Sequence, residues 1–206
     1  MALVKLNNNG VKNATAFGSI TGLGSMVFIK KLTASGSGTL SFVDGASGVV
    51  LDDTYKEYYF TFNNMHPATD GVYFSFQGNV AGGSGFDETI TSTFFTAQHS
   101  EGGSGGELGY GGSRDQAQGT AVQNLTDTIG NDNDQATSGY LHLFNPSSTT
   151  FVKHFIGVSN IAHPSDYKMN SYCAGYFNTT SAIDEIQFSM SSGNIDSGDI
   201  CLYGIA

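Results

Sequence analysis

The chain has 206 residues, enough for one large all-β domain, and its 18 acidic residues against 8 basic ones give a net charge of −10. Nucleic-acid binding depends on Lys and Arg that neutralise phosphates, so this balance argues against a nucleic-acid partner. No window approaches the length of a membrane span, and three Asn stand where a secretory signal needs its apolar centre, so neither a membrane segment nor a signal peptide is expected.

The first 32 residues differ from the rest of the chain. They carry Lys5, Lys12, Lys30 and Lys31 and no acid, and Val4, Leu6, Val11 and Phe17 are apolar without fitting a strand rhythm. This stretch, 1–32, is expected to be an attachment or assembly segment that docks on an acidic neighbour, with 33–206 forming a β-sandwich. With 28 Gly, 15 Phe, 10 Tyr and no Trp, the chain has the composition of many short strands joined by turns.

A strand rhythm begins at "SGSGTLSFV". In "EYYFTFNN", Tyr58, Phe60 and Phe62 share one face while Glu57, Tyr59 and Thr61 share the other, which is the period-two signature of a half-buried strand. "NNMHPATDG" is a loop marked by Pro67 and Gly71. "GVYFSFQGNV" repeats the pattern with Val72, Phe74 and Phe76 inward. Further strands are expected at 88–98, 120–125, 139–145, 149–158 and 170–178. Between them, 99–115 ("HSEGGSGGELGYGGSRD") and 126–139 read as long tips, the first of them flexible.

The stretch "YLHLFNPSSTTFVKHFIGV" reads as a tight hairpin on a type I turn at "NPSS". Both its runs are apolar on both parities: Leu141, Leu143 and Phe144, then Phe151, Val152, Phe155 and Ile156. Such strands are central and covered on each side, or present an outer face to another subunit. A homo-oligomer is therefore expected. The chain closes on "EIQFSMSSGNIDSGDICLYGIA", where Ile186, Phe188 and Met190 alternate with polar residues and Ile200 and Leu202 resume the alternation after a Ser/Gly/Asn/Asp turn. The expected unit is a terminal hairpin clamped inside a sheet. Cys173 and Cys201 read either as a bridge or as two strand thiols.

No residue pattern carries catalysis. Asp52 with Asp53, and Asp184 with Glu185, are neighbours on extended chain and point to opposite faces. The histidines lack metal-ligand spacing, no Ser stands in a nucleophile elbow, and "GGSGGELGYGG" lacks the Lys-Ser or Lys-Thr and the helix of a phosphate loop. "GNDNDQ" offers Asp132, Asn133 and Asp134, oxygen ligands that suit calcium, without the spacing of an EF-hand. A solvated turn is the default there, and no cofactor is expected. If each connection reverses direction, the loops 44–53, 78–85, 126–139, 159–169 and 192–199 gather at one end, bringing together Asp52, Asp132, Asp134, Asp166, Asp196 and Tyr167. Carboxylates beside an aromatic ring suit a sugar, directly or through a cation; a solvated acidic rim is the plainer reading.

The segment "AGYFNTTSAIDEIQFSMSSGNIDSGDICLYGIA" resembles the closing part of virion appendage and tail-fibre-like proteins of tailed, marine-type bacteriophages, in its "TSAI...I.F" strand, "SGNI.SG" turn and terminal "LYGI". "TYKEYYFTFNNMHPATDGVYFSFQ" is similar to the early strands of the same module. The resemblance covers about residues 33–206. It implies a jelly-roll-like antiparallel β-sandwich and a non-enzymatic virion structural protein, made in the host cytoplasm and present in the virion. Its role would be that of a tail-fibre or appendage component in host recognition or attachment. Capsid decoration is the alternative within the class, and a free carbohydrate-binding module the alternative outside it. The implied partners are other virion proteins, reached through the N-terminal segment, and a host-surface glycan or protein; fibre heads of this kind are commonly trimers.

Overall fold

Alternation of apolar and polar residues governs the chain, and the computed structural model turns it into two antiparallel sheets over the residues it describes, 26–206. The strands are β1 (Met26–Ser37), β2 (Thr39–Val43), β3 (Glu57–Pro67), β4 (Phe74–Val80), β5 (Ile90–Ser100), β6 (Glu107–Tyr110), β7 (Ala117–Gly119), β8 (Gln123–Asn124), β9 (Thr137–Phe144), β10 (Lys153–His163), β11 (Tyr167–Phe177), β12 (Ile183–Met190) and β13 (Ile195–Ile205). The described residues form no helix, in keeping with the all-β expectation.

The strand order is that of a jelly roll with additions. β1-β13-β3-β9 form one four-stranded unit and β2-β12-β4-β8 the facing sheet, the chain crossing between them as two Greek keys require. Beyond β9, the first sheet is prolonged by β10, β11, β5 and β6, with β7 also on β5. The large sheet is thus wider than the small one, and the inner face of the added strands is covered by chain instead. Leu125 accepts a hydrogen bond from the Ser159 hydroxyl at 2.8 Å, and the Asp127 N–H donates to Ser171 Oγ at 3.0 Å.

Between the sheets, Phe42, Phe60, Phe74, Phe76 and Phe188 form one aromatic cluster, all with no exposed surface. Phe188 stacks on Phe74 at 5.6 Å and 11° and meets Phe60 at 5.5 Å. Offset and edge contacts of this kind add to the burial of the rings. Leu141, Leu143 and Phe155 face this core, as their parity requires. Lys153 shares that inward parity and is fully buried; its ammonium donates to the carbonyls of Phe151 at 2.7 Å and Thr179 at 3.0 Å, while burial lowers its pKa.

Several expectations need correction. The terminal segment is no hairpin: β12 pairs with β2 and β4 in the small sheet, while β13 lies between β1 and β3 in the large one. The Ser/Gly/Asn turn at 191–194 therefore carries the chain from one sheet to the other, although the last strand is clamped inside a sheet as expected. The boundary at 32/33 falls within β1, so residues 26–32 belong to the sandwich. Val4, Leu6, Val11 and Phe17 lie outside the described residues. β9 and β10 are a hairpin, but the turn closed by Ser148 N–H on the Asn145 carbonyl is part of a longer connection, 145–152. The Gly-rich tip contains β6, paired with β5. Cys173 and Cys201 are free thiols on opposite faces of the large sheet, with β3, β9 and β10 between their strands.

Candidate functional site

The connections 126–136, 164–166 and 191–194 lie at one end of the sandwich, where the 68–73 connection links the last to the first: Ala68 N–H donates to the Asn194 carbonyl at 3.0 Å and Gly71 N–H to the Ile129 carbonyl at 3.0 Å. Gly130 N–H donates to the Ala162 carbonyl at 3.2 Å, Ala162 N–H to Ala136 at 3.1 Å, and Glu101 N–H to Asp166 at 2.9 Å. Asp132, Asp134 and Asp166 line one cleft together with Glu101 and His163. Asp134 also borders a second cleft with Asp196 and His66, whose Nδ1 lies 2.7 Å from the Gln135 carbonyl. Tyr167 lines a third, of about 320 Å³, with Glu101, Ser138, Asn160 and Lys168. Five of the six residues expected to share an end do so.

Asp52 does not. It lies at the opposite end beside Asp44, Asp53 and Asp184, near Ser147 and Ala182. The loops 44–53 and 78–85 are there because the crossings between sheets and the inserted strands break the simple count of reversals. Asp52 Oδ1 accepts the Thr54 N–H at 2.8 Å, a local turn that holds its carboxyl below the usual range, with the Thr54 side chain contributing most. Asp184 is shifted the other way, upward, first by burial and then by the adjacent Glu185. Among the described residues, no group of three or more His, Cys, Asp or Glu side chains is placed to hold a metal ion.

The two outer faces of the sandwich are unlike each other. Over the small sheet the outward residues are Ser41, Ser75, Gln77, Glu185, Gln187 and Ser189, and Gln77 donates to the carbonyls of Glu88, Thr120 and Ala121 in a covering loop. Over the large sheet aromatic rings recur among the outward positions, interspersed with Thr33, Glu57, Thr61, Thr93 and Asp199. Registered pairs place Tyr172 beside Phe95 and Phe95 beside Tyr110 across β11, β5 and β6, and Tyr203 beside Tyr59 across β13 and β3. Phe95 and Tyr172 stack at 4.8 Å and 11°, Tyr59 and Tyr140 at 5.0 Å and 23°. Phe95, Tyr110, Leu108 and Ile156 are exposed.

Sequence reasoning placed its candidate ligand residues in the loops; it assigned the outward parity of β9 and β10, with Phe144 and Ile156, to a contact between subunits and missed the tyrosines beside them. The available signal was the second parity of the apolar strands: Tyr59 opposite Tyr58 and Phe60, and Ile156 opposite Phe155. Comparison with known proteins gives no match, whether with family models, curated proteins or solved structures.

Proposed function

We propose that the chain is a non-enzymatic structural protein of a virion, a tail-fibre or appendage component that acts in host recognition or attachment. The observation that carries this reading is the contrast between the two outer faces of the sandwich. The outer face of the small sheet is polar and partly covered by the chain's own loops, whereas the outer face of the large sheet carries a series of aromatic rings, Phe95 and Tyr110 among them exposed, which has the chemistry of a contact surface. The jelly-roll order agrees with the fold that the sequence resemblance implies. In this reading residues 1–25 join the protein to its neighbours in the particle, and several copies, three as the first expectation, are presented together.

Gold-labelled antibody against the chain, imaged on intact particles, tests the proposal. Label on the tail or its appendages is the expected result. Label spread over the capsid shell moves the role to decoration, and particles without label, confirmed by mass spectrometry of their proteins, overturn the virion reading altogether.

A further inference from the structure

The outer face of the large sheet contains a trough along β10. Ile156, Val158 and Asn160 point outward along its floor, while Phe155, Gly157 and Ser159 point into the core. Val158 is registered with Tyr140 on β9 and with Tyr172 on β11, so one tyrosine stands on either side of it. The two flanking strands are about 10 Å apart, twice the interstrand spacing.

Each wall is braced from behind. The partner stacked on Tyr140 is Tyr59 of β3, on the far side of β9 from the trough; the partner stacked on Tyr172 is Phe95 of β5, on the far side of β11. One face of each wall ring is therefore occupied by its neighbour on the side away from β10. At that strand spacing about one saturated ring fits between the two tyrosines. Toward the loop end the floor continues through Asn160 into the cleft of about 320 Å³ that Ser138, Tyr167, Lys168 and Glu101 line.

Charge selects the occupant. Residues 156–160, 138–140 and 170–174 include no Asp, Glu, Lys or Arg, in a chain whose net charge is −10. A polyanion would be repelled by the molecule as a whole and find no cation on the floor or the two walls, the Lys168 ammonium of the adjoining cleft being engaged by Asn170. An uncharged glycan meets neither penalty. Its C–H faces stack on aromatic rings, and its hydroxyls find the exposed Asn160 amide on the floor.

We propose that the trough over β10, between Tyr140 and Tyr172, binds an uncharged glycan, with one sugar ring held between the two tyrosines and the chain continuing past Asn160 into the cleft. The proposal rests on the attachment reading above and gives that role a ligand class and a site.

The test is affinity electrophoresis of the full chain through gels that each contain one soluble polysaccharide: mannan, dextran, laminarin or galactomannan, with anionic alginate as the contrast. Retardation is expected in at least one uncharged gel and not in alginate. Tyr172→Ala and Tyr140→Ala should each weaken it about tenfold, the scale of one aromatic stacking contact. Tyr172→Phe should retain it. Val158→Trp, which fills the trough and leaves both walls in place, should abolish it while the thermal melt of the variant shows it folded. Sedimentation of wild type and Tyr172→Ala should coincide. No retardation in any uncharged gel, retardation in alginate alone, or unchanged retardation of the Tyr→Ala and Val158→Trp variants overturns the proposal. So does an oligomer that Tyr172→Ala dissociates, because the face would then lie between copies. Glycan binding by a chain absent from particles overturns the virion reading alone; a chain found on particles without glycan binding overturns this one alone.

Discussion

Asp127 shows how single residues pin the covering loops to the sheet. Burial acts to raise its carboxyl, but the backbone N–H and hydroxyl of Thr128 and the Arg114 guanidinium at 3.0 Å outweigh burial, and its pKa stands below the ordinary carboxylate value. Arg114 lies in turn over the Tyr73 ring, 3.9 Å from its centre. A carboxylate whose folded pKa is depressed contributes its stability in full above the unfolded value of about 3.9, and loses it as pH falls through the folded pKa. Denaturant unfolding followed from pH 7 to pH 2 should therefore show a loss below about pH 4 that is smaller in Asp127→Asn than in wild type. Equal slopes would mean that the Asp127 carboxylate is not held by these partners. Arg114→Ala, which removes the ion pair and the ring contact together, should cost about 1–3 kcal/mol.

At the scale of elements, β12 joins the core and β9–β10 builds the working face. Phe188 touches Phe42, Phe60, Phe74 and Phe76, so Phe188→Ala should cost about 3–5 kcal/mol in denaturant unfolding, and Phe188→Asp should yield no soluble folded protein. On β9, a side chain at Gly139 would run into the Val158 carbonyl oxygen and crowd the Phe62 ring, so Gly139→Ala should cost about 1–3 kcal/mol; an unchanged melt would show that the two strands can part there. Alternation made both elements legible in the sequence, since Ile186, Phe188 and Met190 face inward as their spacing requires. Partners were not legible. Local turn chemistry at 191–194 is the same for a hairpin and for a crossing between sheets, and only the pairing of β13 with the distant β1 and β3 decides between them. β6 was missed because Gly109 interrupts its four residues and Gly-rich chain precedes it. The acidic end was legible in Asp132, Asp134, Asp166, Asp196 and Tyr167, whereas Asp52 went astray with its loop. Tyr140 and Tyr172 become a pair only when β10 is inserted between their strands, which no spacing along the chain reveals.

For the whole molecule, the edge of the large sheet fixes where the sandwich begins. β1 pairs with β13 from Met26 opposite Ile205 to Ser37 opposite Ile195, setting Leu32 beside Ile200 on the core side. Its other edge has no strand partner among the described residues, and Lys30 and Lys31 break the apolar run there, as charged residues do on edges that must not pair at random. Removal of residues 1–25 deletes none of these strand pairs, whereas removal of 1–37 leaves β13 as the new edge and takes away the cover of Ile200 and Leu202. The shorter deletion should therefore give a soluble domain with a far-ultraviolet circular dichroism spectrum and melting temperature close to those of the full chain. The longer one should aggregate or lose cooperative melting. If residues 1–25 are the link to the particle, the shorter deletion should also leave the domain folded but missing from purified particles. Incorporation at the normal level would remove the linking role from that segment, and failure of the chain starting at Met26 to fold would make residues 1–25 part of the sandwich itself.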